Sequence, residues 1–417
     1  MVIVIVIVIL VCVVVLSIAS ASDLLSVASS SEDSKSESSN TYLDNNATSP
    51  CFGEVIDAVA TAMRFYYGNP SSAHRIGTLA KNELERCRTE IRAAVSASKY
   101  NLVFTSGATE ANNLAIRAVL SIEKRIVVTT PLEHPSVYET LASMNADVRL
   151  MTVSPEGIID VNHLERMIAE FGDDIAMVAV SMANSEIGAM QDMPAIAALC
   201  RAHGGIHCHV DMTQVFGRYE VNLNRIGAHS YTASAHKFHG PKGVGALFYV
   251  EWLKLPPCIT GGSQEAGMRA GTENVPGVVG MALALKTCLF KLRDGSSERL
   301  NAQTQAVRHA IEKIIPGVRF NGPQNKDQRL YQTLSVSLPF PAFELVHEMS
   351  EQGVYVGSSG CACSKGKPSR TLAAIGLSKE EMTKTVRISL GFANDERTAS
   401  RFVRCLRIAM SRSNTGS

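Results

Sequence analysis

The amino-acid sequence predicts an α/β protein, with a mostly parallel central sheet in a large domain and a smaller α+β domain beside it. Between residues 100 and 250, short β-branched apolar runs alternate with segments whose apolar residues recur every three or four positions. After about residue 295 this alternation gives way to a different order of strands and helices. A chain of 417 residues is long enough for two domains.

Residues 52–294 are assigned to the large domain. The apolar runs predict strands at 101–105, 125–130, 174–180, 206–212 and 245–250. Helical patterns lie between them, as in EANNLAIRAVL, NHLERMIAE and PAIAALCRAH. Such alternation is typical of a mostly parallel sheet that is covered on both faces.

Residues 42–51 and 295–417 are assigned to the small domain. Strands are predicted in TLSVSL and TVRISLG, and helices in AFELVHEMSEQG and ERTASRFVRCLRIAM. The loop YVGSSGCACSKGKPS, which carries two cysteines, lies between these elements. We expect this position to let the loop move over the large domain.

The N-terminus differs from the rest of the chain. Residues 2–16 are apolar and uncharged, which suits a signal peptide or a signal anchor, so residues 1–19 are predicted to be such a segment. The alternative is a mis-assigned start codon. Residues 20–41 are rich in serine and acids and are predicted to be a disordered linker. Any membrane contact is expected only through residues 1–19.

Charge and cysteine content narrow the class of protein. The net charge is +1 and no lysine- or arginine-rich tract occurs, which argues against nucleic acid as a partner. The ten cysteines are scattered, without zinc-finger spacing, and are too sparse for a disulfide scaffold. The body therefore suits a reducing compartment such as the cytosol or the mitochondrion, whereas the N-terminus leaves the localisation open.

The segment VFTSGATEANNLAI predicts a strand that runs into a helix through small residues. Free backbone N–H groups at a helix start favour an anion, and Thr109 adds a hydroxyl beside Ala108. The segment GPKGVG at 240–245 lacks the spacing of a Walker phosphate loop. Small residues at such a junction can also serve turn geometry only, so the segment leaves two interpretations, an anion site and a tight turn.

The segment HCHVDMTQ places three polar side chains on one face of a predicted strand, namely those of His207, His209 and Asp211. A metal site is one interpretation of this pattern. The other is an acid at the carboxyl end of a parallel strand, where ligands usually meet such a sheet.

Lys237 lies between small residues and a glycine-rich turn in SYTASAHKFHGPKGVG. Most lysines are solvated, but a lysine at a strand end is placed for a lowered pKa and Schiff-base chemistry. An anion cradle, an acid for a pyridinium nitrogen and a Schiff-base lysine are together what pyridoxal 5'-phosphate (PLP) requires.

Cys361 and Cys363 leave three interpretations open: a metal-ligand pair, half of a disulfide, or a nucleophile on a flexible arm. A disulfide between them would close a strained ring, and two ligands alone make a poor metal site. Lys365 and Lys367 would lower the pKa of a nearby thiol modestly.

Ten segments in order, from about Tyr42 to about Phe392, resemble those of the cysteine desulfurases, fold-type I PLP enzymes of the class V aminotransferase group. The segments are YLDNNAT, GNPSSAH, TSGATEANN, EHPSV, NSEIG, HVDMTQ, SAHKFHGPKGVG, GMRAGTEN, SSGCAC and VRISLG. The resemblance implies a fold-type I PLP-dependent transferase with L-cysteine as substrate.

The resemblance also implies residue roles. Lys237 would bind the cofactor covalently and move the Cα proton, His134 would stack on the ring and help proton transfer, and Cys363 would be the nucleophile. Asn184 and Arg387 would fix the substrate carboxylate. The implied cofactor-binding residues are Ala108, Thr109, Asn184, Asp211, Gln214, Ser234, His236, Lys237 and, from the other subunit of a homodimer, Thr272.

The function implied is conversion of L-cysteine to L-alanine with a persulfide left on Cys363. The sulfur would pass to an acceptor or scaffold protein in iron–sulfur cluster or thio-cofactor assembly. The alternatives are a selenocysteine lyase, an aminotransferase and a membrane-tethered binding protein with a degenerate site. An aminotransferase would not need Cys363, and the set of Lys237, Asp211, His134 and Cys363 argues against degeneracy.

Overall fold

The structure, a computed structural model, describes residues 40–121, 126–358 and 368–413. The chain divides into two units, residues 1–41 and 42–417. In the first unit only Asn40 and Thr41 are described. The predicted signal-like segment 1–19 and residues 20–39 of the predicted linker 20–41 therefore lie outside the described residues, whereas Thr41 is buried and begins a strand.

The first sheet of residues 42–417 has seven strands in the order β2-β8-β7-β6-β5-β3-β4. The strands are β2 (Tyr100–Thr105), β3 (Ile126–Thr129), β4 (Asp147–Leu150), β5 (Ile175–Ser181), β6 (His207–Asp211), β7 (Ser230–Ser234) and β8 (Gly245–Val250). Strands β4, β3, β5, β6 and β7 pair in parallel, whereas β8 is antiparallel to β7 and β2. The predicted mostly parallel sheet is confirmed.

Helices pack on this sheet because their apolar positions are buried against it. They are α1 (Gly53–Phe65), α2 (Arg75–Ala94), α3 (Ala108–Leu120), α4 (Pro135–Ser143), α5 (Val161–Phe171), α6 (Met193–His203), α7 (Leu223–Ile226) and α8 (Val275–Arg293). Residues of β5, β6 and β7 such as Val178, Cys208 and Tyr231 are fully buried in one core. This rigid centre fixes the ends of the strands, from which the site is built.

Two strands of this first sheet were not among those predicted from apolar runs. Strand β7, with the sequence SYTAS, is small and polar yet buried along its whole length. Strand β4 lies at the edge of the sheet, and all four of its residues are exposed. Neither strand carries the continuous apolar run that marks a buried parallel strand.

The second sheet has five strands in the order β1-β11-β12-β10-β9. The strands are β1 (Thr41–Leu43), β9 (Arg319–Asn321), β10 (Thr333–Ser337), β11 (Val354–Ser358) and β12 (Thr385–Ser389), and the helices are α9 (Ser296–Ile314), α10 (Ala342–Glu351), α11 (Arg370–Ala374), α12 (Lys379–Thr383) and α13 (Thr398–Ser413). Residues 42–417 form one compact unit, so the domain boundaries stay a prediction.

Among the described residues one helix, α8, is long and apolar enough to cross a membrane. Half of its most apolar stretch is buried inside the fold, and it packs on α1 and α2. Such burial is typical of a core helix.

Candidate active site

A pocket of about 530 Å³ lies where the loops after β2, β5, β6 and β7 meet residues from β12 and residues 46–48. In open α/β sheets, ligands bind outside the carboxyl ends of the strands. The residues predicted for the site that line this pocket are Ala108, Thr109, His134, Asn184, Asp211, Gln214, Ser234, His236, Lys237 and Arg387. Thr272 is exposed and does not line it, and Cys363 lies outside the described residues.

Lys237 ends a short 3-10 helix that follows β7. Its Nζ donates hydrogen bonds to the backbone oxygens of Asn46, at 2.8 Å, and Ala47, at 2.9 Å. Burial, with help from the cations of Arg218 and Arg387, lowers the pKa of Lys237 to about 7. The amine is therefore neutral in a large fraction of molecules near pH 7, which a nucleophile or base requires.

Asp211 is the last residue of β6 and is buried. Its Oδ1 accepts from the backbone N–H of Thr213 at 2.9 Å, and its Oδ2 accepts from Nδ2 of Asn112 at 2.9 Å. One donor on each oxygen fixes the plane of the carboxylate and leaves further lone pairs for a ligand. This arrangement suits an acid that pairs with a pyridinium nitrogen.

His134 is the residue before α4 and caps that helix. Its Nδ1 accepts from the backbone N–H of Ser136 at 3.1 Å and lies 2.9 Å from Oγ of the same serine. Burial lowers the pKa of His134, as does Lys237, while Asp211 opposes the change. The imidazole is therefore held neutral and in one orientation beside the pocket.

The helix α3 begins at the pocket, with Ala108 and Thr109 in its first turn. A side chain at Gly245 would come within 2.7 Å of the Gly107 Cα, so glycine lets the turn before α3 lie against β8. The first backbone N–H groups of the helix, together with the hydroxyls of Thr109 and Ser234, form a set of anion donors.

His236 lines the same side of the pocket, and its Nδ1 lies 3.0 Å from Oγ1 of Thr48. Burial lowers the pKa of His236 to about 4, and Lys237, Lys242 and Arg218 add to the effect. A neutral imidazole can still donate an N–H to an anion, and it adds no charge beside Lys237, Lys242 and Arg218.

Gln214 follows Asp211 by three residues, and its side chain is held at both ends. Its Nε2 donates to the backbone oxygen of Asn46 at 3.1 Å, and its Oε1 accepts from Arg218 at 3.0 Å. Asn46 therefore contacts both Gln214 and Lys237, and the segment YLDNNAT forms one wall of the site.

Arg387 projects from β12 and forms an ion pair of 2.7 Å with Asp44. Its Nη1 donates to the backbone oxygen of Ser185 at 3.3 Å. Its Nε is buried without a hydrogen-bond partner in the described part of the chain, whereas Nη1 and Nη2 each make one bond there and have a second N–H. Asn184 differs, because both ends of its amide are already bonded.

Three buried polar residues of the site were missed by sequence reasoning. Burial raises the pKa of Glu133 to about 7, and the hydroxyls of Thr130 and Ser181 donate to its two oxygens. Asn112 and Arg218 are also buried and hydrogen-bonded to site residues. Glu133 and Asn112 belong to the segments EHPSV and TSGATEANN, but these segments do not show which side chains the two residues contact in the fold.

The metal interpretation of His207 and His209 is not supported by their contacts. Both rings lie 2.8 Å from Oγ of Ser230, and Nε2 of His209 lies 3.0 Å from Oδ1 of Asn112. In the ranges that the structure describes, no group of three His, Cys, Asp or Glu side chains is arranged to hold a metal ion.

The residues present fit PLP. The start of α3 would hold the phosphate, the buried carboxylate of Asp211 would pair with the pyridine nitrogen, and the amine of Lys237, whose pKa is lowered to about 7, would bind the aldehyde. An anion cradle, an acid and a neutral amine in one pocket are what this cofactor needs.

Comparison with known proteins agrees with this geometry. The family model of class-V aminotransferases matches residues 41–402. A cysteine desulfurase IscS of Dictyoglomus turgidum is 35% identical over 360 residues, which cover 84% of this chain and 89% of the relative.

Solved structures agree as well. A NifS-like protein superposes with a TM-score of 0.81 at 30% identity and covers 89% of this chain and 100% of its own. SspA, solved in complex with cysteine, gives a TM-score of 0.70 at 30% identity and covers 84% and 98%. Since the family model and the relatives span most of the chain, this protein belongs to the cysteine desulfurases of the class-V aminotransferase family.

Proposed function

We propose that this chain is an L-cysteine desulfurase that converts L-cysteine to L-alanine with PLP and keeps the sulfur as a persulfide on Cys363. The sulfur would then pass to an acceptor protein that assembles iron–sulfur clusters or thio-cofactors. One observation carries the proposal: the buried amine of Lys237, whose pKa is lowered to about 7, shares a pocket with the buried carboxylate of Asp211. The cysteine bound to SspA supports the same substrate class.

The cofactor would be held at both ends. The start of α3, Thr109, Ser234 and His236 would bind the phosphate, while Asp211 would keep the pyridine nitrogen protonated and Gln214 would hydrogen-bond the ring hydroxyl. When bound, PLP supplies an electron sink for the negative charge that develops at Cα. The neutral amine of Lys237 would accept the Cα proton at Nζ, with His134 assisting proton transfer.

Arg387 would bind the substrate carboxylate. Its side chain lines the pocket and is 6% exposed, and its Nη groups each have an N–H beyond their bonds to Ser185 and Asp44, so a carboxylate would meet charged donors. Asn184 would have to give up a contact, such as that of its Nδ2 with Thr371 at 3.1 Å, to reach the substrate. We therefore assign the carboxylate mainly to Arg387.

The sulfur step rests on the sequence, since Cys363 lies outside the described residues. The thiolate of Cys363 would attack the substrate sulfur, so that an S–S bond forms while the C–S bond breaks. The electron pair of the broken bond stays on the substrate carbon, which takes up a proton and leaves as alanine. Lys365 and Lys367 flank the thiol in sequence and would favour the thiolate.

The decisive experiment measures alanine release from L-cysteine by the wild type, Cys363→Ala and the matched control Cys361→Ala. We expect Cys363→Ala to bind PLP normally yet lose at least about a hundredfold in rate. The thiol of Cys361 would remain, but a nucleophile misplaced by two residues costs at least that much. With a reductant present, Cys361→Ala should keep most of its activity. A wild-type protein that binds PLP and releases no alanine would refute the proposal, and an inactive Cys361→Ala beside an active Cys363→Ala would move the nucleophile two residues earlier.

We also propose a two-fold homodimer in which Thr272 of one copy reaches the phosphate site of the other. Ile56, Met63, Phe65 and Tyr67 are 55–71% exposed along α1 and the turn after it. Exposed apolar side chains in one segment favour burial at a subunit interface. Thr272 is itself exposed. Light scattering at assay concentration should give twice the chain mass, and an active monomer would contradict the proposal.

A further inference from the structure

Asn112 lies on α3 behind the pocket and is fully buried. Its amide touches three polar neighbours at once. The Nδ2 donates to Oδ2 of Asp211 at 2.9 Å and to Oγ of Ser136 at 2.8 Å, and Oδ1 lies 3.0 Å from Nε2 of His209. Both amide protons and the oxygen are therefore used, and no solvent reaches the group.

The direction of each hydrogen bond in the His209 branch follows from these contacts. Because Oδ1 of Asn112 only accepts, Nε2 of His209 must carry a proton. Burial lowers the pKa of His209 to about 4, so the ring is neutral at pH 7 and its Nδ1 carries no proton. That Nδ1 lies 2.8 Å from Oγ of Ser230, which must then donate.

The series of hydrogen bonds continues from Ser230 to His207. Since Ser230 spends its proton on His209, its oxygen accepts from Nε2 of His207, which lies 2.8 Å away. Burial lowers the pKa of His207 well below its ordinary value, so its Nδ1 carries no proton. This Nδ1 has no hydrogen-bond partner among the described residues, so the series of hydrogen bonds ends at His207.

A second branch runs from Asn112 to His134. Because Oγ of Ser136 accepts from Asn112, its own proton points to Nδ1 of His134, 2.9 Å away. The backbone N–H of Ser136 donates to the same nitrogen at 3.1 Å. A neutral His134 therefore carries its proton on Nε2.

We propose that Asn112 is a positioning residue that couples the carboxylate of Asp211 to the imidazole of His134 and fixes the proton arrangement of both branches. Asp211 can only accept when ionised, so it anchors the direction of every other bond in the series. Fixed orientation in groups that contact a cofactor depends on such supporting hydrogen bonds. The inference rests on the proposed binding of PLP at Lys237.

The test measures PLP affinity of the apoprotein for the wild type, Asn112→Ala and Asn112→Asp. The aspartate keeps the size and the accepting oxygen but replaces the donor to Asp211. The matched control is Asn113→Ala, because Asn113 is the next residue on α3 and bonds instead to the Thr109 oxygen and to Arg117. We expect both Asn112 variants to bind PLP about 10- to 100-fold more weakly, the loss typical of a charged hydrogen bond, with the control within about twofold.

A second readout follows the histidines by ¹⁵N NMR in the wild type and in Asn112→Ala. His209 should carry its proton on Nε2 in the wild type and lose that preference in the variant. Variants that melt like the wild type and bind PLP equally tightly would overturn the role of Asn112. If Asn112→Ala does not fold, Asn112→Asp decides, and a wild-type His209 protonated on Nδ1 overturns the proposal whatever the variants do. A wild-type protein that binds no PLP would instead overturn the proposed function, and this role with it.

Discussion

Two cations line the same pocket and are held in opposite ways. The ammonium of Lys237 donates to two neutral backbone oxygens, and no carboxylate among the described residues forms an ion pair with it. The guanidinium of Arg387, whose side chain is 6% exposed, forms an ion pair of 2.7 Å with Asp44. A buried cation loses hydration, and a nearby anion offsets this loss more than neutral oxygens do.

The difference shows how one pocket holds both a base, Lys237, and a permanent cation, Arg387. Without a carboxylate, burial lowers the pKa of Lys237 to about 7, and the neighbouring cations of Arg218 and Arg387 act in the same direction. Arg387 carries a guanidinium, which is far more basic than an amine, and it pairs with Asp44. Burial can therefore make Lys237 a base near pH 7, whereas a buried guanidinium such as that of Arg218 stays charged.

The largest expected effect comes from removing the amine. Lys237→Ala should abolish the visible absorbance of lysine-bound PLP and lower alanine release at least about a thousandfold, since a positioned base contributes that order of rate. Lys242→Ala is the matched control, because Lys242 also lines the pocket but lies within the glycine-rich turn GPKGVG and not at the end of β7. An absorbance scan and an alanine assay check both, and a Lys237→Ala protein with wild-type absorbance would break the comparison.

A smaller effect is expected on the arginine side. Arg387→Ala should raise the KM for L-cysteine about 10- to 100-fold, which corresponds to the loss of a charged hydrogen bond, while PLP absorbance stays. Asp44→Asn tests the ion pair separately, since it leaves the guanidinium in place. Its KM should change by less than that of Arg387→Ala. If Asp44→Asn matches Arg387→Ala, the acid and not the arginine governs substrate binding.

The sequence predicted most of the first sheet because buried parallel strands are continuous apolar runs. The predicted strand 245–250 coincides with β8, and 174–180 overlaps β5 (Ile175–Ser181) with a shift of one residue. Strand β7 could not be found in this way, because its serines and threonine are polar and are buried by neighbours far along the chain, among them β6, β8 and α3. Sheet order and the antiparallel pairing of β8 depend equally on contacts that no local pattern encodes.

The site shows the same limit. Matching motifs indicated ten residues that line one pocket. Nine of them end strands, follow strands or begin helices at one edge of the first sheet, and Arg387 reaches the pocket from β12 of the second sheet. Asn112 and Arg218 carried no local signal, since their partners lie far along the chain: Asn112 meets Asp211 across 99 positions, and Arg218 meets Asn45 across 173. Their contacts emerge only when the chain is folded.

Arg218 gives the smallest expected effect, because its charge alters the pKa of Lys237 without removing either side chain of the comparison. It is buried, and it donates to the backbone oxygens of Lys237 at 2.8 Å and Asn45 at 2.7 Å. It also donates to Oδ1 of Asn46 at 2.8 Å and Oε1 of Gln214 at 3.0 Å. Burial lowers the pKa of Arg218 to about 10, so it remains charged at pH 7 and repels a proton on Lys237.

Arg218→Met removes that cation, which favours the protonated form of Lys237 and therefore raises its pKa above about 7. The value should stay below the ordinary 10.5, because burial is the largest cause and persists. Lys237 is charged below its pKa and neutral above it, so PLP binding by the apoprotein should slow at pH 7 by about fivefold for the first unit of increase and about tenfold for each further unit, and recover as the pH rises. Arg218→Lys keeps the charge with fewer donors, and its pH profile should stay near that of the wild type. Stopped-flow rates of PLP binding between pH 6 and pH 10 distinguish the cases. If both folded variants shift equally, the hydrogen bonds of Arg218 rather than its charge set the state of Lys237.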